Sequence, residues 1–290
     1  MRNSKDKKIY KHPFLFSIII TLIYQGFITA LSVILGVFIA LINFFNHVDY
    51  GNLKSIFKEI SPLSIAVSVI SILLINLIFK NFKIYTKRNF FKTVKVSSVY
   101  LIYILALLIY TIYQNIKINH QFKPSSEIIL GILALIFEIG FVEESLYRGL
   151  ILNIFAKKYL DKPNGILKIL FFPAIIFGSI HMLNILAGVY LEKAILQAVL
   201  AFLVGILLNA IYLRGGNILV LILIHAIVDA SGLFKCLFLR TNMTFSDCIN
   251  QTSYTELIIY IPLSILSTIF ILRKSKLEEV KENLKTINQI

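Results

Sequence analysis

The sequence lacks tryptophan, has only 2 cysteines, and carries 15 acidic residues against 29 Lys and Arg. Each shortage excludes something. Cys236 and Cys248 have no CxxC beside them, so a zinc knuckle or ribbon is out, and a disulfide or two unrelated thiols remain. No HExxH is present, which removes the helix-borne zinc site of the common metalloproteases. No internal repeat is visible, which counts against a transporter built from inverted halves. No polar stretch is long enough for a soluble domain. The acid deficit leaves a net charge of +14, but the basic residues sit in short loops and at the termini. That is the pattern of anchoring against anionic lipid headgroups, not of a nucleic-acid footprint, so membrane lipid is the expected partner and nucleic acid is not.

What the chain has is apolar length. Of 290 residues, 58% are hydrophobic and 15% charged, with a mean hydropathy of +0.82. Such a composition specifies an all-α polytopic membrane protein. Eight apolar segments can be drawn, at about 14–45, 62–79, 96–113, 127–155, 166–186, 194–213, 218–236 and 256–272. The first is too long for a signal peptide and reads as a retained membrane helix. Arg2, Lys5, Lys7, Lys8 and Lys11 precede it, and the loops after the second, fourth, sixth and eighth segments are the richer in Lys and Arg. Eight spans with both termini in the cytoplasm satisfy the positive-inside rule, which makes this a multi-pass cell-membrane protein. The expected organisation is three N-terminal membrane helices in 1–124, a helical core in 125–236, and an outer loop, last helix and cytoplasmic tail in 237–290.

Ionisable groups inside those spans are the functional signal, since a charge at the bilayer centre costs at least ~2.5 kcal/mol. The fourth segment contains FEIGFVEESLYRG at 137–149. Glu144 and Arg148 are i, i+4 and share a helix face, in the favourable acid-before-base order. Glu143 points about 100° away from that pair. The fifth segment carries His181 one turn after Phe177, and the seventh carries His225 and Asp229 at i, i+4. Counted from the expected cytoplasmic ends, Glu143, His181 and Asp229 each lie roughly 18 Å deep. Two histidines and an unpaired glutamate at one depth point to chemistry. Glu138, Asn76, Asn184, Asn209 and Lys193 read as structural, helix-contact or interfacial residues.

The motifs EExxxR at 143–148, FxxxH at 177–181 and HxxxD at 225–229, in this order on separate helices, resemble the intramembrane glutamic proteases of the CAAX-processing and bacteriocin-processing group, the CPBP or Abi family. The resemblance covers about residues 125–235. It implies an eight-span α-helical enzyme whose polar cavity opens to the cytosol, acting as an endopeptidase on a membrane-associated or lipidated peptide or protein. It implies that Glu143 and His181 activate a water, that His225 and Asp229 line the side where the oxyanion develops, and that Glu144 and Arg148 order the site. It further implies no metal and no cofactor, although one Glu and two His could ligate zinc in type and number. The residue that closes the third motif is typically Asn in the enzymes that trim prenylated proteins; Asp229 donates a hydrogen bond only when protonated. Bacterial relatives suggest bacteriocin maturation or self-immunity, and the Ile-, Asn- and Lys-rich composition fits an AT-rich Gram-positive source. The competing expectation is a non-catalytic membrane immunity or binding protein. Oligomeric state is not legible here.

Overall fold

The computed structural model describes residues 11–45, 89–118, 126–239 and 245–288, with isolated residues at 70, 74 and 77. Among these residues every regular element is helical. In chain order they are α1 (Pro13–Phe45), α2 (Phe90–Ile118), α3 (Ser126–Glu144), a π-helical segment (Ser145–Ile151), α4 (Leu152–Tyr159), α5 (Gly165–Ile180), a 3₁₀ segment (His181–Ala187), α6 (Leu191–Gly215), α7 (Ile218–Leu239), α8 (Phe245–Asn250), α9 (Thr255–Ile271), a 3₁₀ turn (Lys274–Lys276) and α10 (Leu277–Asn288). The all-α polytopic architecture read from composition is therefore the observed one.

The span count of eight is not confirmed. Among the described residues four helices are long and apolar enough to cross a membrane, and α9 with α10, bent by 56°, makes a fifth candidate. The segment at 62–79, with Asn76, falls outside the described residues. Between α3 and α4 the helix changes type in the midst of its charged residues.

Large apolar side chains face outward on α1, α2 and α9, among them Ile23, Ile102 and Leu266. An outer surface of that kind suits lipid rather than water. Inward, Ile151, Leu152, Phe155, Leu207, Leu208 and Ile211 are fully buried. They pack together where the π segment, α4 and α6 meet, at the end of the bundle that carries Lys158 and Arg214.

Close helix approach depends on missing side chains. A Cβ on Gly140 of α3 would lie 3.0 Å from the Ile222 carbonyl and 3.3 Å from the Ala226 amide nitrogen of α7. One on Gly178 of α5 would meet the Ala198 carbonyl of α6 at 2.7 Å. Small residues let membrane helices pack backbone to backbone. Because Gly140 sets the α3–α7 spacing, Gly140→Leu should push α7 outward and destabilise the protein by about 1–3 kcal/mol. Thermal unfolding in detergent, with Gly140→Ala as the milder comparison, checks this.

The C-terminal tail folds back against the end of α6. Val280 and Leu284 of α10 are buried, and Asn283 donates Nδ2 to the carbonyls of Tyr212 and Leu213 at the end of α6, at 3.4 and 2.9 Å. Glu279 meets Lys92, Arg214 and Lys276 at 3.1–3.4 Å. Partial burial pushes its carboxyl up, but the hydrogen bond and charge of Lys92, with Arg214 and Lys276, outweigh this and hold it below the usual carboxylate value. A depressed folded-state value contributes stability that is present above the ordinary carboxylate range and lost as pH falls through the lowered one. Amide exchange in α10 should therefore be unchanged from neutrality to mild acidity and rise only in strong acid. Glu279→Gln should abolish that acid-dependent step.

Candidate functional site

The π segment begins at Ser145, directly after the two glutamates. Such segments interrupt the regular ladder and recur at functional sites. Here local side chains take up displaced backbone groups. Asn153 donates Nδ2 to the Gly149 carbonyl at 2.8 Å, with that of Arg148 at 3.2 Å, and Ser145 donates Oγ to the Phe141 carbonyl at 2.5 Å. The widened turn still leaves Glu144 and Arg148 face to face.

Arg148 is wholly buried, and each part of its fork has a role. Nη1 donates to Glu144 Oε1 at 2.6 Å, Nε to Asn209 Oδ1 at 3.1 Å, and Nη2 to the Gly205 carbonyl at 3.3 Å. Its guanidinium carbon also lies 4.8 Å from the Phe177 ring centroid. Asn209 in turn donates Nδ2 to the Leu170 carbonyl at 2.8 Å, so one polar chain ties α3, α6 and α5 together. Paired and fully hydrogen-bonded, the charges are tolerable in an apolar interior.

Glu144 also reaches α7. Its Oε1 accepts from His225 Nδ1 at 2.6 Å. A carboxylate only accepts, so Nδ1 carries the proton and the imidazole is fixed in orientation. The other ring nitrogen, Nε2, faces two further carboxylates, Glu143 Oε2 at 3.5 Å and Asp229 Oδ2 at 3.8 Å. Among the described residues Glu143 Oε2, Glu144 Oε2 and Asp229 Oδ2 are buried atoms with no hydrogen-bond partner. Three acceptors thus converge on one imidazole with acceptor capacity to spare.

His181 is set by a different device. At the end of α5 the helix tightens into the 3₁₀ segment, and the His181 amide bonds back to Gly178. That releases the Phe177 carbonyl, which lies 2.8 Å from His181 Nδ1. A carbonyl accepts only, so Nδ1 holds the hydrogen and Nε2 of the neutral ring is left as an acceptor. Phe177 packs edge-on against Tyr147, His181 and His225, at centroid distances of 4.8, 5.1 and 5.9 Å. The aromatic member of the second motif is therefore the wedge that seats both histidines.

Glu143, His181, His225 and Asp229 line one cavity of about 410 Å³. Glu144 and Arg148 stand behind it. All six residues singled out from the sequence are thus gathered at one place. Among the described residues the ion-pair-range partner of Glu143 is His225, and both histidines share the cavity wall. Among the described residues no three His, Cys, Asp or Glu are grouped to hold a metal ion. Cys248 lines the same cavity, whereas the side chain of Cys236 lies outside those described.

Asn209, Phe177 and Asn153 have functions that the motif pattern understated. Asn209 does make the helix contact expected of it, but through the buried Arg148. Asn184 pairs with Gln197 at 2.8 Å and Lys193 donates to the Thr252 carbonyl at 2.9 Å, as contact and interfacial residues do.

Residues 125–231 match the family model described as type II CAAX prenyl endopeptidase, Rce1-like. The resemblance to the CPBP group carried by the three motifs is borne out over that stretch, which ends just after Asp229. No curated protein and no solved structure gives a significant match.

Proposed function

We propose that this chain, whose residues 125–231 match the Rce1-like CAAX prenyl endopeptidase family, is a membrane-embedded endopeptidase working through Glu143 rather than a metal. The observation that carries this reading is the convergence of Glu143, Asp229 and both histidines on one cavity in a bundle with several apolar helices.

The chemistry follows from the donor and acceptor roles. Glu143 takes a proton from a bound water, and the hydroxide oxygen attacks the carbonyl carbon of the scissile bond. The Nε2 lone pair of His181 accepts a second hydrogen bond from that water and orients it. As the carbonyl oxygen becomes an oxyanion, His225 stabilises it through Nε2–H in its imidazolium form. Glu144 supports that form by accepting from Nδ1, and Asp229 by its charge. Glu143 then returns the proton to the leaving nitrogen, the C–N bond breaks, and a carboxylate and an amine are released. Arg148 and Asn209 hold Glu144 so that the imidazole does not turn. Asp229, an acceptor while ionised, serves as an electrostatic partner of His225 rather than as an amide-like donor.

The charge distribution supports a multi-pass cell-membrane protein with both termini in the cytoplasm. Substrate class follows the resemblance: a membrane-associated or lipidated peptide or protein, with bacteriocin maturation or self-immunity as the biological setting.

The test compares His181→Ala with wild type in cells and in purified form, using a panel of lipidated and leader-type peptides. Cleavage should be lost while membrane accumulation is unchanged. Equal protection of cells from a peptide toxin by both proteins, with neither cutting any peptide, would instead support a non-catalytic immunity protein.

A further inference from the structure

From His181 to Ala187 the chain is a 3₁₀ helix. With three residues per turn and about 2 Å of rise each, side chains at i and i+3 eclipse. Asn184 therefore stands in line with His181, roughly 6 Å further along the axis. Both side chains line the cavity, and so does Gln197 of α6. Asn184 donates Nδ2 to Gln197 Oε1 at 2.8 Å, which joins the two carboxamides in the cavity wall. The main chain of Asn184 is fixed as well. Its carbonyl accepts from the Val189 amide at 3.1 Å, where Gly188, at φ +92°, closes the segment.

That one hydrogen bond uses only part of what two carboxamides carry, since each has two N–H donors and an acceptor oxygen. Asn184 Oδ1 and Gln197 Nε2 have no hydrogen bond among the described residues. Their neighbours on the wall are apolar: Leu183 beside Asn184, and Leu200 and Ala201 one turn on from Gln197. A half-paired amide in apolar surroundings costs free energy that a bound polar group recovers. The pair presents one acceptor and one donor without net charge. That set complements a peptide group, whose N–H would donate to Asn184 Oδ1 and whose C=O would accept from Gln197 Nε2. A charged ligand finds no counter-charge in it.

Spacing selects which peptide group is held. An extended chain advances about 3.3 Å per residue and repeats its orientation every second residue, after about 6.6 Å. With the scissile group at Glu143 and His181, the next group facing the same wall falls level with Asn184.

We propose that Asn184 and Gln197 form a main-chain cradle that holds the substrate extended by gripping the peptide group two residues from the scissile bond. This rests on the proposed endopeptidase site and deepens it. Recognition at the cradle reads the backbone, so it selects an extended, unfolded segment and not a particular side chain.

The test uses fluorescein-labelled, N-palmitoylated decapeptides in which one backbone amide at a time, the scissile one excepted, is replaced by an ester, which deletes an N–H. Binding to the Glu143→Gln protein in liposomes is read by fluorescence anisotropy, with protein-free liposomes as the blank, and wild type is assayed for cleavage of the same peptides. One ester, two residues from the bond that is cut, should weaken binding and raise KM about 3–10-fold with kcat little changed, the worth of one net hydrogen bond. Adding Asn184→Leu should weaken the all-amide peptide by a similar factor and abolish the sensitivity to that ester. Asn184→Asp, which keeps an acceptor oxygen, should retain the sensitivity; a merely structural role for Asn184 would single out no ester position. Equal binding of all the esters, sensitivity at a different amide, or sensitivity that survives Asn184→Leu overturns the cradle, and leaves the endopeptidase standing if wild type still cuts. A single sensitive amide, silenced by Asn184→Leu, with no peptide cut by wild type would discard the endopeptidase reading and keep the cradle. Peptides that are neither bound nor cut overturn both.

Discussion

Glu143→Gln should lower the rate of peptide cleavage by about 10²–10⁴-fold, the usual worth of a positioned general base, while the protein inserts and accumulates normally. Gln has the shape of Glu and retains an acceptor oxygen, so packing along α3 is preserved. What it lacks is the ability to take a proton from water. The structural cost should be small because Glu143 makes no contact with Arg148 that the fold depends on: Arg148 is satisfied by Glu144, Asn209 and Gly205. Its one ion-pair-range contact among the described residues is His225 at 3.5 Å, and His225 keeps its shorter bond to Glu144. A fall in kcat with KM little changed is the expected signature, since the group acts on the water and not on substrate binding. Activity assays beside size-exclusion profiles of both proteins would separate lost chemistry from lost fold.

The second large effect is on folding. Arg148→Met should destabilise the protein by about 3–5 kcal/mol, because removing one partner leaves the other charge buried and uncompensated. The site makes this severe. Glu144 and Arg148 are both wholly buried, and the lost guanidinium also releases Asn209 and the Gly205 carbonyl. A matched loss follows for Glu144→Gln, which weakens the hold on both Arg148 and His225. The double variant Glu144→Gln/Arg148→Met should be more stable than Arg148→Met alone, since the charge of Glu144 is then no longer left without its arginine, yet it should still be inactive because His225 has lost its charged anchor. Unfolding midpoints of the four proteins in one detergent complete the cycle. Destabilisation that is simply additive would mean the two side chains do not act as a pair.

Much of the site was legible because its spacing obeys helix geometry. Glu144 with Arg148, and His225 with Asp229, meet where an i, i+4 rule puts them, even with a π segment beginning between the first two. That π segment left no plain mark on the sequence. Its one trace is Asn153, a polar residue in an apolar run, whose amide takes up the Gly149 and Arg148 carbonyls. The bond from His181 to the Phe177 carbonyl was equally hidden, since it depends on a change from α to 3₁₀ pitch that composition does not encode. Asn209 showed its kind of role but not its partner: a helix-contact Asn is visible in sequence, the Arg it buttresses 61 residues away is not. The apolar segment at 62–79 lies outside the described residues, so the count of eight is not confirmed. For α10, the i, i+4 pair Val280 and Leu284 in LEEVKENLKTIN was the available sign that the tail docks, and both are fully buried.

Activation of the attacking water by a glutamate, and not by a metal, sets the proposed enzyme apart from a metalloprotease. It is tested most directly by cleavage with purified protein in liposomes, run with and without a strong chelator, for wild type and Glu143→Gln side by side. Cleavage by wild type should persist in chelator and disappear in Glu143→Gln. Cleavage abolished by chelator and restored by zinc would contradict it, and would place Glu143, His181 and His225 around a metal ion instead.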